Sequence, residues 1–184
     1  MSAIYSLYNH PSTPMPFVQG IQVELITCNP VSLILTYHII GNPEALKIPP
    51  PSNKPQPQDN LWQHTCCEAF IGNTSDTSYH EWNLSPSGNW QVYSFTGYRA
   101  NQQRLNVTAP VIHTNIGQDH LTITTYIPNS WLTNPYPTPT KLTMGLSVVL
   151  ADRYGSLYYW ALQCPPGKPD FHNRDSWIGY INRG

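Results

Sequence analysis

Along most of this chain every second side chain is apolar, the period of a β-strand with one buried face. Ile21, Val23 and Leu25 alternate through residues 20–27, and Val31, Leu33, Leu35, Tyr37 and Ile39 through residues 31–40. Asn29 and Pro30 lie between these runs and supply a turn, so they predict an antiparallel hairpin. Residues 106–114 and 119–127 predict two more strands joined by Asn-Ile-Gly-Gln, with Leu121, Ile123, Thr125 and Ile127 as the inner row of the second. Leu142, Met144, Leu146, Val148 and Leu150 share one parity in residues 141–150, a strand at 156–163 follows an Asp-Arg-Tyr-Gly turn, and residues 177–181 are placed to close the sheet. Pro128 to Leu132 fits either a single helical turn or a loop with one aromatic anchor, Trp131, and is too short for a mature helix.

The run from Leu61 to Arg99 is the most informative. It parses as three short strands joined by two turn-rich loops. In the middle one Tyr79, Glu81, Asn83 and Ser85 fall on one face and His80, Trp82 and Leu84 on the other, so a polar row stands on a mostly apolar strand. Such a row has the form of a binding face. Counting all segments gives about eight to ten short strands with frequent turn signals, which predicts an all-β fold: an antiparallel β-sandwich, jelly-roll-like, with little helix. The opening residues are punctuated by proline and carry no predicted strand. The Pro-rich stretch at about 47–59 reads as a loop at the rim of one domain spanning 1–184, because the hairpin before it has no core of its own to make it a separate unit.

Composition strengthens the all-β reading. Only 10% of residues are charged, against 12 Tyr, 6 Trp and 19 Pro. A net charge of -1 provides no broad basic surface, which argues against a nucleic-acid partner. No segment approaches the apolar length of a membrane span, and residues 1–20 carry no basic, apolar leader, so neither a membrane partner nor export is expected and the sequence reads as cytoplasmic. Cys28, Cys66, Cys67 and Cys164 lack the spacing of a disulfide framework and read as reduced thiols, Cys66 and Cys67 pointing to opposite faces of one strand.

Three groups of residues could carry chemistry. Glu68 and Glu81 sit on neighbouring strands that would pair as a hairpin, placing both carboxyls on one face. That pair has three readings: a calcium site shared with Asn83, an acid/base pair for a sugar-active hydrolase or isomerase, or structural charges satisfied by Arg99, Lys168 or backbone N–H groups. Lys168, Asp170 and His172 alternate near the C-terminus and can offer hydrogen bonds from one side of an extended segment. No nucleophile-elbow motif accompanies them. Among the tryptophans, Trp82 and Trp160 read as packing residues, while Trp62 and Trp90, next to loops, are candidates for a stacking platform.

The blocks LWQHTCCEAF, YHEWNLSPSGNWQVYSFTGYR and YYWALQCPPGKPDFH resemble the signature blocks of the bacterial DOMON-like domain proteins, which are similar to family 9 carbohydrate-binding modules. Together they span about half of the chain. The resemblance implies a β-sandwich whose relatives bind sugars or haem and carry no established reaction. It marks Trp62, Glu68, Glu81, Asn83, Ser85 and Trp90 in the first half as motif positions, with Pro86, Gly88 and Tyr93 beside them. In the second half it marks Arg99, Trp160, Lys168, Pro169, Asp170 and His172. Cys67 departs from the motif, which has an aromatic after the first cysteine. Haem is disfavoured, because Met144 lies on the core parity and no histidine is clearly placed opposite it. The expected function is a non-catalytic module for a small polar ligand, foremost a saccharide. Ligand-binding residues would be Trp62, Glu68, Glu81, Asn83, Ser85, Trp90, Arg99, Lys168, Asp170 and His172. The runner-up is the sugar-active enzyme using Glu68 and Glu81, and a scaffold-only interaction domain is the third reading.

Overall fold

The computed structural model describes residues 2–28, 32–128, 130–133 and 141–181. The Asn29-Pro30 turn, Val31, the side chain of Cys28 and the second Pro-rich connection at 134–140 lie outside the described residues. The first sheet holds β1 (Ser2–Asn9), β2 (Val18–Cys28), β3 (Ser32–Gly41), β8 (Val111–Ile116) and β9 (His120–Pro128). The second holds β4 (Cys66–Asn73), β5 (Tyr79–Leu84), β6 (Trp90–Phe95), β7 (Gln103–Arg104), β10 (Leu142–Ala151), β11 (Leu157–Ala161) and β12 (Gly179–Ile181). One helical turn, α1 (Ser130–Thr133), follows β9. All pairings between these strands are antiparallel, and the order β7-β6-β5-β4-β10-β11-β1-β2-β3-β9-β8 runs continuously through both sheets, with β12 added to β10.

The alternating rows explain why the sheets face each other. Ile21, Val23 and Leu25 of β2, Leu33, Leu35 and Ile39 of β3, and Leu121, Ile123 and Ile127 of β9 are all buried. They meet Ala69 and Ile71 of β4, Trp82 and Leu84 of β5, and Met144, Leu146 and Val148 of β10 in one apolar cluster. A sheet apolar on one side must cover that side, and two such sheets cover each other. Tyr37 reaches across, its hydroxyl donating to the Glu68 carbonyl at 2.9 Å. Trp131 stacks on Trp82 at 6.1 Å and donates its Nε1–H to the Thr108 carbonyl, closing one end of the core. Trp160 is likewise a core residue.

β1 makes the corner between the sheets. Ser2 to Leu7 pair with β2, and Tyr8 and Asn9 then pair with Ala161 and Trp160 of β11. Its sequence carries no strand signal because only Leu7 of its eight side chains is fully buried. At the handover, Asn9 donates to the carbonyls of Thr13 and Tyr159 and accepts from the Met15 N–H at 2.8 Å. Asn9→Ala is expected to lower the unfolding free energy by roughly 2 kcal/mol, measurable by urea denaturation, since these backbone groups lose their partners in a partly buried corner.

Two boundaries differ from the alternation. β8 begins at Val111 rather than at residue 106, because Pro110 has no N–H to give to a ladder. β7 is a two-residue exposed edge with no apolar signature at all. The Pro-rich loop at 47–59 lies against the start of β6, where Pro57 bridges Trp90 and the Gln58 N–H donates to the Trp90 carbonyl at 2.8 Å.

Candidate functional site

The outer face of the second sheet, turned away from the core, carries an ordered row of side chains. The registers place Ser147, Glu68, Asn83 and Gln91 on one rung across β10, β4, β5 and β6, and Gly145, Phe70, Glu81 and Tyr93 on the next. Tyr79 pairs with Phe95 one rung further. Glu68 and Glu81 are therefore diagonal neighbours, a spacing of about 7 Å between such positions. Above this floor lies a cavity of about 600 Å³. Its walls come from Trp62 on a 3-10 turn, Tyr93 and Phe95 of β6, Tyr159 of β11, and the C-terminal segment that brings Lys168, Phe171 and His172.

Trp177 holds that segment down. Its ring stacks on Phe70 at 5.7 Å and meets Tyr79 edge-on at 5.1 Å, while its Nε1–H donates to the Phe171 carbonyl at 2.8 Å. Gly145 leaves the room for it: a methyl group there would stand 2.3 Å from the indole. Arg174 lies over the same ring and donates to the carbonyls of Asn73, Asp76 and Ser78, fixing the loop between β4 and β5.

His172 is placed by three aromatic rings, Phe70 and Phe95 at 5.1 Å and Tyr79 at 5.8 Å. The Tyr79 hydroxyl accepts the Arg99 backbone N–H at 3.1 Å and shares a hydrogen bond with His172 Nδ1 at 2.7 Å. His172 Nε2 faces Glu81 Oε2 at 3.7 Å. Burial, with the Arg99 charge second, pushes the imidazole down to about 4, so this is a long contact between a neutral ring and a carboxyl and not an ion pair. Arg99 sits in the left-handed region (φ 51°), which costs a residue with a Cβ about 1 kcal/mol. That turn aims its guanidinium at Asp170, 2.8 Å away, and the Tyr98 hydroxyl donates to the same carboxylate at 2.5 Å.

Burial pushes the Glu81 carboxyl up to about 7, even though Asn83 Nδ2 donates to its Oε1 at 2.7 Å. Glu68 is driven well above the usual carboxylate range by burial first and by Glu81 second. Among the described residues its one side-chain donor is Ser147 Oγ at 3.4 Å. The floor thus holds two carboxyls whose burial favours the protonated form.

Of the residues singled out from the sequence, Trp62, Glu68, Glu81, Arg99, Lys168 and His172 line one cavity. Asp170 stands behind Arg99, and Asn83 is buried beneath Glu81 as its hydrogen-bond donor. Trp90 and Ser85 do not join them. Trp90 is on the core parity of β6, packed in the main apolar cluster, so it offers no platform. Ser85 closes a turn with Ser87 at 2.9 Å, away from the cavity. Among the described residues Arg99 and Lys168 form no ion pair with either glutamate: Arg99 is paired with Asp170, and its charge pulls both carboxyls down by less than burial raises them, while Lys168 is exposed at the mouth.

Other contributors carried a signal that went unused. Tyr93 and Phe95 share the parity of Gln91 on a strand that also buries Trp90 and Val92. Asp59, in the Pro-rich loop, accepts from the Tyr93 hydroxyl at 2.7 Å and pairs with Arg104, so this loop ties to the rim. Tyr159 and Phe171 had no distinguishing pattern. Among the described residues no group of three or more His, Cys, Asp or Glu side chains is arranged to hold a metal ion, and Asn83 turns its amide nitrogen to Glu81, a poor arrangement for calcium. Met144 is wholly buried in the core, out of reach of the cavity. Cys66, Cys67 and Cys164 are free thiols, Cys66 under the site face and Cys67 in the core.

No protein-family model matches the chain, and no curated protein matches its sequence. Solved structures do share its fold. A putative carbohydrate-binding protein from Bacteroides uniformis aligns over 99% of this chain and 85% of its own with a TM-score of 0.68 at 11% identity. A carbohydrate-binding module of family 9 from Caldicellulosiruptor kristjanssonii, solved with cellotriose, aligns over 97% and 82% with a TM-score of 0.54 at 13% identity. The same organism's family 9 module with glucose gives 93%, 78%, 0.53 and 13%. At these identities the likeness is one of fold: an antiparallel all-β architecture of the carbohydrate-binding-module kind.

Proposed function

We propose that the protein is a non-catalytic saccharide-binding module whose ligand sits on the outer face of the second sheet. The observation that carries this reading is the 600 Å³ cavity itself, with aromatic walls and a hydrogen-bonding floor. Sugars present an apolar ring face and a rim of hydroxyls, and a site for them needs stacking surface beside fixed donors and acceptors. Trp62, 44% exposed, and Tyr159 supply the surface. Glu68, Glu81, Arg99, Lys168 and His172 supply the polar groups, and Asp170 and Asn83 hold Arg99 and Glu81 in place. The fold shared with modules solved with cellotriose and glucose supports the same reading, as do the sequence blocks that resemble the DOMON-like proteins.

The second reading is a sugar-active hydrolase using Glu68 and Glu81, whose diagonal spacing of about 7 Å lies within the range of an inverting glycosidase pair. Turnover of a chromogenic glycoside by the parent chain that is lost in Glu81→Gln would replace the module reading with this one.

Thermal denaturation of the full chain against a panel of neutral and charged oligosaccharides tests the proposal. A ligand present at a hundred times its dissociation constant raises stability by about 2.7 kcal/mol. If no saccharide at millimolar concentration moves the melting curve, the reading falls. Trp62→Ala is expected to weaken whichever saccharide binds by about tenfold, read by calorimetric titration, as an exposed ring is worth roughly 1.4 kcal/mol to a stacked partner. Its melting temperature without ligand should stay near that of the parent protein.

A further inference from the structure

Two buried acids at the cavity floor lack a cation. Arg99 is spent on Asp170 and Arg104 on Asp59, and among the described residues neither Lys nor Arg forms an ion pair with Glu68 or Glu81. Glu68 is 3% exposed, yet Oε2 has only the long contact to Ser147, and no described residue donates to Oε1. Glu81 is 5% exposed, and its Oε2 meets only the His172 ring at 3.7 Å. Buried carboxyls of native proteins ordinarily find a cation or a full set of donors, and leaving them without costs free energy. Here the missing partner has an open route from the cavity. Five rings line the same cavity, Trp62, Tyr93, Phe95, Tyr159 and Phe171, with Arg99 and Lys168 beside them.

An acidic floor under aromatic walls attracts one kind of group doubly. An ammonium gains the charge attraction of the carboxylates and the quadrupole attraction of the ring faces, both strengthened by exclusion of water. A neutral sugar brings no charge to offset a buried carboxylate, and an anionic one is opposed by it. Lys168 at the mouth is a solvated rim charge, screened from the floor by water and salt. We propose, building on the saccharide reading above, that the cavity selects an amino sugar in its ammonium form, with the nitrogen held between Glu68 and Glu81 and the sugar ring against the aromatic wall. On binding, the carboxyl pair has one proton less than its fully protonated form, any proton displaced passing to solvent; the carboxylate accepts a charge-assisted hydrogen bond from the ammonium and the second carboxyl accepts another through its carbonyl oxygen.

The test is calorimetric titration of the full chain at pH 7 with three β-1,4 trimers: glucosamine, N-acetylglucosamine and glucose. The glucosamine trimer is expected to bind at least tenfold more tightly than cellotriose. That advantage, read as the ratio of the two affinities and not as either affinity alone, should disappear in both Glu68→Gln and Glu81→Gln, each folded by its melting curve. If Glu68→Gln fails to fold, Glu81→Gln alone decides. Equal affinity for the three trimers, or tighter binding of a neutral one, overturns the amine inference while the saccharide reading stands. An amine preference that survives in the glutamine variants also overturns it. No binding of any trimer overturns the amine inference, and the wider oligosaccharide panel then decides the saccharide reading.

Discussion

Glu81→Gln is expected to raise the unfolding free energy by about 3 kcal/mol at pH 8 and by almost nothing at pH 4. The folded chain holds the Glu81 proton to about 7, against an ordinary value of 4.5, because its carboxyl is buried. A folded-state value above the unfolded one means the native form binds the proton more tightly. Its stabilising effect is then complete below pH 4.5 and is lost as pH rises through about 7. The amide has no proton to lose, so the difference between variant and parent grows across that window. His80 and His172, both held near 4 by burial, act in the opposite sense: each costs stability as pH falls from 6.5 toward 4. The pH profile of the parent alone therefore mixes the two, and the variant-minus-parent difference reports Glu81 together with the charge repulsion it exerts on Glu68. Urea denaturation at pH 4, 6 and 8 measures it, and a gain that is flat with pH would sink the assignment. The variant joins higher stability to the loss of amine preference proposed above, the trade expected where a binding site buries acids without a cation.

Trp177→Ala is expected to lower the unfolding free energy by about 4 kcal/mol and to abolish saccharide binding. The ring is 4% exposed and fills the space between Phe70, Tyr79 and the bare backbone of Gly145. Its removal leaves a cavity that the β-ladder cannot collapse to fill. It also releases the Phe171 carbonyl from the indole N–H and takes away the surface on which Arg174 rests, so the segment carrying Phe171 and His172 loses its anchor. Gly145→Ala approaches the same state from the other side, since the added methyl would stand 2.3 Å from the ring and push it out. Both variants should retain β-rich far-ultraviolet circular dichroism and lose ligand-induced stabilisation. A Trp177→Ala protein that keeps full affinity would show that the C-terminal segment is positioned by something else.

Much of the architecture was readable from alternation alone. The rows Ile21-Val23-Leu25 and Leu142-Met144-Leu146-Val148 are buried as their parity requires, and β4, β5 and β6 pair as consecutive hairpins. Where alternation failed, a physical cause is visible. β1 turns the corner between sheets and buries one side chain fully, leaving nothing for a pattern to detect. Trp62 and Trp90 both stand beside loops in the sequence. One occupies an exposed 3-10 turn and the other the core parity of a strand, a distinction that depends on where β6 begins. Asp170 appeared to join Lys168 and His172 on one side of an extended segment. In the folded chain it is drawn off to Arg99, 71 positions earlier.

What the sequence determined by itself is local. A two-residue period places Glu68 and Glu81 on the same face once their strands pair, and scarce charge with abundant aromatics makes the domain all-β. The tertiary structure decided which distant groups meet there. The C-terminal segment lies over the β4–β5–β6 floor because Gly145 leaves a slot for Trp177, and the glutamates stay without a cation because the nearest arginine is held by an aspartate on that same segment. Strand period is written into each residue and its next neighbours, whereas these encounters depend on contacts between residues far apart in sequence, which no local pattern encodes.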